Sequence, residues 1–230
     1  MTAESNLTTT IERVAARARF VVSASDPVIQ DRLEHLGYLG VGGERFATRW
    51  FADSPRVPGY YARFAASIEQ MVLQSARLVA VPWERALLEF LRRTEGSALR
   101  WWLYGSAALA VRGIEVRPGD IDVNVSDAYL AGELFDDLLV TPVEELDRWV
   151  AKRVGRAFCG AIIEWSSEPH PELDDPANPH EQGPYIADVL EIVEWRGHSL
   201  RVPPLSAQLV TCERRGLTDR VKLIRAATRR

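Results

Sequence analysis

Two aspartates one residue apart, Asp120 and Asp122, follow a Gly105-Ser106 pair after thirteen intervening residues. The stretch IDVNV alternates with period two and reads as a strand. Both carboxylates therefore share one face, with Ile121 on the other. Two carboxylates on one strand face suit a divalent cation, and Mg²⁺ is held by a few carboxylates together with substrate phosphates. Upstream, LRWWLYG reads as a short strand and SAALAVRG as a short helix closed by Gly113. A helix N-terminus offers free amides and a positive dipole end to an anion. Glycine lets a phosphate come close to the backbone, and the Ser106 hydroxyl adds a donor. A phosphate cradle facing a carboxylate pair is the arrangement of metal-assisted phosphoryl or nucleotidyl transfer.

The surrounding elements must position this segment. Residues 1–95 read as a helical N-terminal module. Helical spacing joins Ile11, Val14, Ala15 and Ala18; Asp26-Pro27 opens a second helix; and Tyr61 to Val79 is the clearest apolar stripe. Residues 38–59, with their glycines and prolines, read as loop. Pro82 suits the first turn of a further helix. Residues 96–230 read as the domain that carries the motif. Residues 128–153 read as helical with a break near Thr141-Pro142. GRAFCGAIIEW and YIADVLEIVEW read as single strands, and HSLRV as a hairpin partner after Arg196-Gly197. Leu205–Arg215 and Thr218–Arg229 read as terminal helices. The fold class expected is α+β.

Composition narrows the setting. The chain has 230 residues, 47% hydrophobic and 26% charged, with a formal net charge of −4. These values support a folded core and argue against an overall nucleic-acid footprint. The last stretch from Glu213 is nevertheless basic, with seven Arg or Lys against two acids. Cys159 and Cys212 are the only cysteines, which excludes a disulfide framework or a Cys-rich zinc site and fits a reduced cytoplasm. No apolar run is long enough to span a bilayer.

The segment from Leu103 to Val125 resembles the signature of the nucleotidyltransferase superfamily with the polymerase-beta-like fold. GSAAL, RG and RPGDIDV are similar to its small bacterial branches, which include antibiotic nucleotidyltransferases and nucleotidyltransferase-type toxins. The resemblance implies a mixed sheet flanked by helices. It implies an enzyme with two Mg²⁺ ions as cofactors and an NTP as co-substrate, transferring an NMP group and releasing pyrophosphate. It implies that Asp120, Asp122 and a third carboxylate are both catalytic and metal-binding, and that Gly105, Ser106 and Arg117 bind the nucleotide. Glu164 is the best match for the third carboxylate, in place of the more usual aspartate, with Asp188 and Glu191 as rivals. Arg112, Arg220 and Lys222 are further candidates for the phosphates.

The acceptor is left open between a small molecule, a protein side chain and an RNA end, and an antitoxin partner stays open as well. Two other readings compete. A metal-dependent glycosyltransferase would also use Asp-x-Asp, but it gives Gly105-Ser106 no role. A non-catalytic nucleotide-binding or interaction module on the same fold would follow if no third acid faces the aspartates. His170 and His180, with Asp174 and Asp175 in a proline-rich acidic loop, fit no metal template; the loop reads as an acceptor-facing loop or lid, or as a solvated insertion.

Overall fold

The computed structural model describes residues 7–146, 150–170, 177 and 179–229. Its N-terminal part holds strands β1 (Thr8–Val14) and β2 (Arg17–Ser23), helix α1 (Pro27–His35), and the short strands β3 (Leu39–Gly40), β4 (Arg45–Ala47) and β5 (Phe51–Ala52). Helices α2 (Val57–Ser75) and α3 (Trp83–Thr94) follow. The expectation of a wholly helical module is therefore corrected. Thr8 to Thr10 and Val21-Val22 are β-branched and suit a pleated surface. Ala15, at φ 53°, turns the chain so that β1 and β2 pair antiparallel from Thr8↔Ser23 to Val14↔Arg17. The segment expected as loop supplies β3, β4 and β5, and the last two pair with β2. Helix α1 begins where expected: Asp26 caps it by accepting from the Val28 amide at 2.7 Å.

The second sheet is built from β6 (Trp101–Tyr104), β7 (Ile121–Val125), β8 (Glu144–Glu145), β9 (Ala151–Phe158) and β10 (Ile162–Pro169). Their spatial order is β6-β7-β10-β9-β8. Strand β10 runs parallel to β7, and the other neighbours are antiparallel. Helices α4 (Gly105–Val111) and α5 (Ala128–Leu134) flank β7 in sequence. The hairpin of β11 (Glu191–Trp195) and β12 (His198–Val202), then α6 (Leu205–Arg214) and α7 (Thr218–Ala227), complete the chain. The α+β class, with a mixed sheet and flanking helices, is as expected.

Three readings in this half need correction. The helix expected over 128–153 stops at Leu134, because Phe135 turns into the core and the chain continues to β8 and β9. GRAFCGAIIEW is two strands around a turn at Gly160, φ 93°. YIADVLEIVEW divides into a 3-10 turn, Pro184–Asp188, and β11.

One apolar core runs from Ala18 in β2 to Val202 in β12. Within it Phe90 of α3 meets Trp101 edge-on at 5.0 Å and stacks on Phe135 at 5.5 Å. A smaller cluster of Leu109, Cys212 and Ile224 ties α4 to α6 and α7. That contact brings the basic end of the chain toward the motif. Among the described residues no helix is long and apolar enough to cross a membrane.

Candidate active site

The site is assembled at the junction of β6 and α4. Tyr104 ends the strand in extended backbone, and Gly105 turns the chain at φ 65°. A β-carbon at Gly105 would lie 2.5 Å from Asp122 Oδ2. Glycine is therefore required twice, by the left-handed backbone and by the carboxylate packed against it. The register explains the closeness: β6 and β7 pair Tyr104 with Asp122. Ser106 follows, 1% exposed, at the start of α4.

Glu164 stands beside Asp122 on β10, its register partner in the parallel pair, so the two share a sheet face. Opposite Glu164 on β9 is Arg156. The Arg156 Nε and Nη2 donate to Glu164 Oε2 at 3.0 and 2.5 Å. Its Nη1 donates to the Leu36 carbonyl at 2.9 Å, which fastens the N-terminal part to this sheet.

The aspartates are poorly accommodated as anions. Burial pushes Asp120 up to about 6, and the nearby Glu164 charge adds to the rise, while Arg220, Arg156 and Arg215 oppose it. Burial pushes Asp122 well above the carboxylate range, helped by Asp120, Glu164 and Glu181. Among the described residues no three His, Cys, Asp or Glu side chains already form a metal cage. The donor chemistry nonetheless fits. Desolvated carboxylates that repel one another are hard oxygen ligands, and a divalent cation carrying phosphate ligands completes such a set.

The structure thus gathers Gly105, Ser106, Asp120, Asp122 and Glu164. Arg117 is exposed in the turn before Asp120. Arg112 is taken up elsewhere, donating to Glu191 at 2.6 Å and to the Pro203 carbonyl at 2.8 Å. That also occupies Glu191, one rival for the third carboxylate. Asp188, the other rival, ends the 3-10 turn. Of the C-terminal candidates, Arg220 acts on Asp120 through its charge, whereas Lys222 pairs with Asp219 at 3.2 Å.

Sequence reasoning missed Arg156, Arg215 and Glu181. Glu181 is 4% exposed, and its Oε2 accepts from the Gly105 amide at 3.0 Å and from Gln208 Nε2 at 3.3 Å. Trp102 Nε1 donates to the Glu181 carbonyl at 3.1 Å. Gln182 Nε2 donates to the Tyr104 hydroxyl at 2.7 Å and to Ser166 Oγ at 3.2 Å. A glutamate among prolines carries no sequence signal for such a role. His180 is pushed down to about 4 by burial, with Arg214 and Arg215 adding to the shift. Asp174 and Asp175 lie outside the described residues.

No protein-family model matches the chain, and no curated protein sequence does. Among solved structures it is similar to a Thermotoga maritima protein described as a candidate nucleotidyltransferase. The identity is 18% over 64% of this chain and 92% of that one, with a TM-score of 0.48. It is also similar to ANT(2'')-Ia in complex with adenylyl-2''-tobramycin, at 17% identity over 63% of this chain and 95% of that one, TM-score 0.35. A solution structure of ANT(2'')-Ia, described as an antibiotic-resistance factor, gives 17% identity, 63% and 90% coverage and TM-score 0.35.

Proposed function

We propose that the chain is a Mg²⁺-dependent nucleotidyltransferase that moves an NMP group from an NTP to an acceptor hydroxyl. The observation that carries this reading is the Asp122 carboxylate packed on the Gly105 turn, with Glu164 beside it in register. Asp120 and Asp122 would hold the Mg²⁺ ions, with Glu164 as the third acid. When bound, the ions supply Lewis-acid stabilisation of charge on the α-phosphate. The residues of the chain do the rest. Gly105 and Ser106 orient the triphosphate, Arg117 meets it from the turn, and Arg215 and Arg220 draw it in by charge. Both Arg156 bonds fall on Glu164 Oε2, leaving Oε1 to take the acceptor's proton. The acceptor oxygen bonds to the α-phosphorus in line, the bond to the β-phosphate oxygen breaks, and pyrophosphate leaves with those electrons.

A second reading has one observation in its favour. The Glu181 carboxylate occupies the Gly105 amide, as it would in a binding module that no longer turns over. The test is Mg²⁺-dependent thermal stabilisation by each of the four NTPs, wild type beside Asp120→Asn/Asp122→Asn, then transfer from the α-labelled NTP that binds. Stabilisation lost in the double variant, with transfer in the wild type, supports the enzyme. Stabilisation without transfer to any acceptor class favours the module. No stabilisation by any NTP overturns both.

A further inference from the structure

Building on the nucleotidyl-transfer reading, we propose that the acceptor is a small hydroxyl-bearing zwitterion of amino-acid size. It binds in the cavity that opens beside Glu164 between the two sheets. The cavity has a volume of about 230 Å³. Leu36, Tyr38 and Arg49 line it from the N-terminal part, and Glu144, Arg156 and Glu164 from the second sheet. Glu164 belongs to both this wall and the carboxylate face, so a hydroxyl at that wall meets the third acid of the candidate site.

Three polar groups in the lining await a partner. Tyr38 is 4% exposed; the Arg156 guanidinium lies near enough to pull on its hydroxyl, but among the described residues that hydroxyl completes no hydrogen bond of normal geometry. Buried hydroxyls are nearly always satisfied, so an unpaired one on a cavity wall points to a ligand. The Glu144 carboxylate has no hydrogen bond or ion pair among the described residues. Burial pushes it up to about 7, against the pull of Arg156 and Arg49. Arg49 is exposed at the rim and likewise unpaired among the described residues. Arg156 is different, because each of its three nitrogens already donates within the protein.

Opposite charges that line one cavity without pairing match a ligand carrying both. Its carboxylate meets Arg49, its ammonium meets Glu144, and Tyr38 donates a hydrogen bond to it. A neutral polyol would leave both charges uncompensated. A second, wider cleft shares Thr48, Arg49 and Glu144 with this cavity and adds Arg17, Arg19 and Trp50.

Calorimetric titration of the intact chain without nucleotide tests this, using L-serine, L-threonine, L-homoserine and L-tyrosine against myo-inositol and glycerol. At least one hydroxy-amino acid should bind. Glu144→Gln and Arg49→Gln should weaken it tenfold or more, and the isosteric Tyr38→Phe several-fold. Thermal stabilisation by Mg·NTP should match wild type in all three, and label should pass from NTP to the bound amino acid. Absence of amino-acid binding, equal binding of a polyol, indifference to all three variants, or label passing only to RNA or protein would overturn the proposal. Amino-acid binding without any NTP binding would uphold the site and overturn its acceptor role. That result separates the failure of this inference from the failure of the nucleotidyl-transfer reading.

Discussion

Two acid clusters in this molecule titrate in opposite directions. On α3, Glu89 is held down to about 2, first by its side-chain bond to Arg92 and, against the cost of burial, by Arg93. Arg93 also donates to Asp137 at 2.5 and 2.9 Å and keeps that carboxyl below its usual range. On β7, Asp120 is raised to about 6 and Asp122 further. Both regions have arginines nearby. At α3 they are direct hydrogen-bond partners. At β7 the cations Arg215 and Arg220 act through charge alone, and Arg156 is engaged by Glu164. The fold completes the first cluster and leaves the second incomplete. Perturbed acids next to a strand-to-helix glycine turn are the physical feature on which the proposed cation and phosphate site rests.

The strongest way to break this comparison is to neutralise the β7 acids. Asp120→Asn or Asp122→Asn should lower transfer by about a thousandfold or more, because charge stabilisation at the phosphoryl group is worth several kcal/mol. The fold should persist. Radiolabelled transfer with the accepted NTP checks the first statement, and a urea titration checks the second. A variant with wild-type turnover would remove the aspartates from the mechanism.

The pH dependence of stability sharpens the comparison. Asp120 binds its proton more tightly in the folded chain, rising from 3.8 to about 6. Its contribution is therefore fully present below pH 3.8 and lost as pH rises through 6. The loss amounts to about 3 kcal/mol by pH 8, from roughly 1.4 kcal/mol per pH unit. Glu89 runs the other way, from 4.5 to about 2: its contribution is present above pH 4.5 and lost as pH falls through 2. Urea midpoints in EDTA should show Asp120→Asn gaining on wild type between pH 4 and 8. Glu89→Gln should fall behind wild type as pH rises from about 2 to 4.5 and keep a nearly constant gap above that. Parallel curves for the two variants would dissolve the distinction.

The β7 cluster was partly legible in the sequence because its spacing is local. Gly105, Ser106, Asp120 and Asp122 lie on one strand-turn-helix-strand path, where period and order determine the placement. Glu164 required the partner strand: the resemblance singles it out, but the sequence alone reads the hairpin around Gly160 as one strand and leaves Asp188 and Glu191 as rivals. Arg156, Glu181 and Arg215 were not legible. Their positions depend on antiparallel pairing, on the path of a proline-rich segment and on the packing of α6 and α7 against α4. None of these leaves a periodic trace. The N-terminal sheet was hidden for another reason: Ile11, Val14, Ala15 and Ala18 satisfy a helical period, and only the hairpin turn at Ala15 separates the two outcomes.

A glycine pair tests the geometry at smaller scale. Gly105 and Gly113 both have positive φ, 65° and 79°, but only Gly105 would place a β-carbon against Asp122. Gly113→Ala should cost about 1 kcal/mol for the left-handed backbone. Gly105→Ala should cost that and about 1 kcal/mol more, since Asp122 must shift. It should also weaken NTP binding by an order of magnitude or so, whereas Gly113→Ala should not. Equal effects of the two substitutions would show that the Gly105–Asp122 contact has no special weight.

The smallest expected effect concerns Glu181, the acid that bridges the comparison. It is more deeply buried than the half-buried β7 pair yet hydrogen-bonded like the α3 pair, and burial still raises it above the usual range. Its charge lies on the Gly105 amide, where an incoming phosphate would be repelled. Glu181→Gln keeps an oxygen to accept from Gly105 and removes the charge. NTP affinity should then rise a few-fold, about 1 kcal/mol, and the gain should shrink over the range in which falling pH protonates the native carboxyl, a range that burial moves up from the usual one. Titration of the accepted NTP into both proteins across that range checks it. Weaker NTP binding in the variant at every pH would mean that the Glu181 charge supports the site.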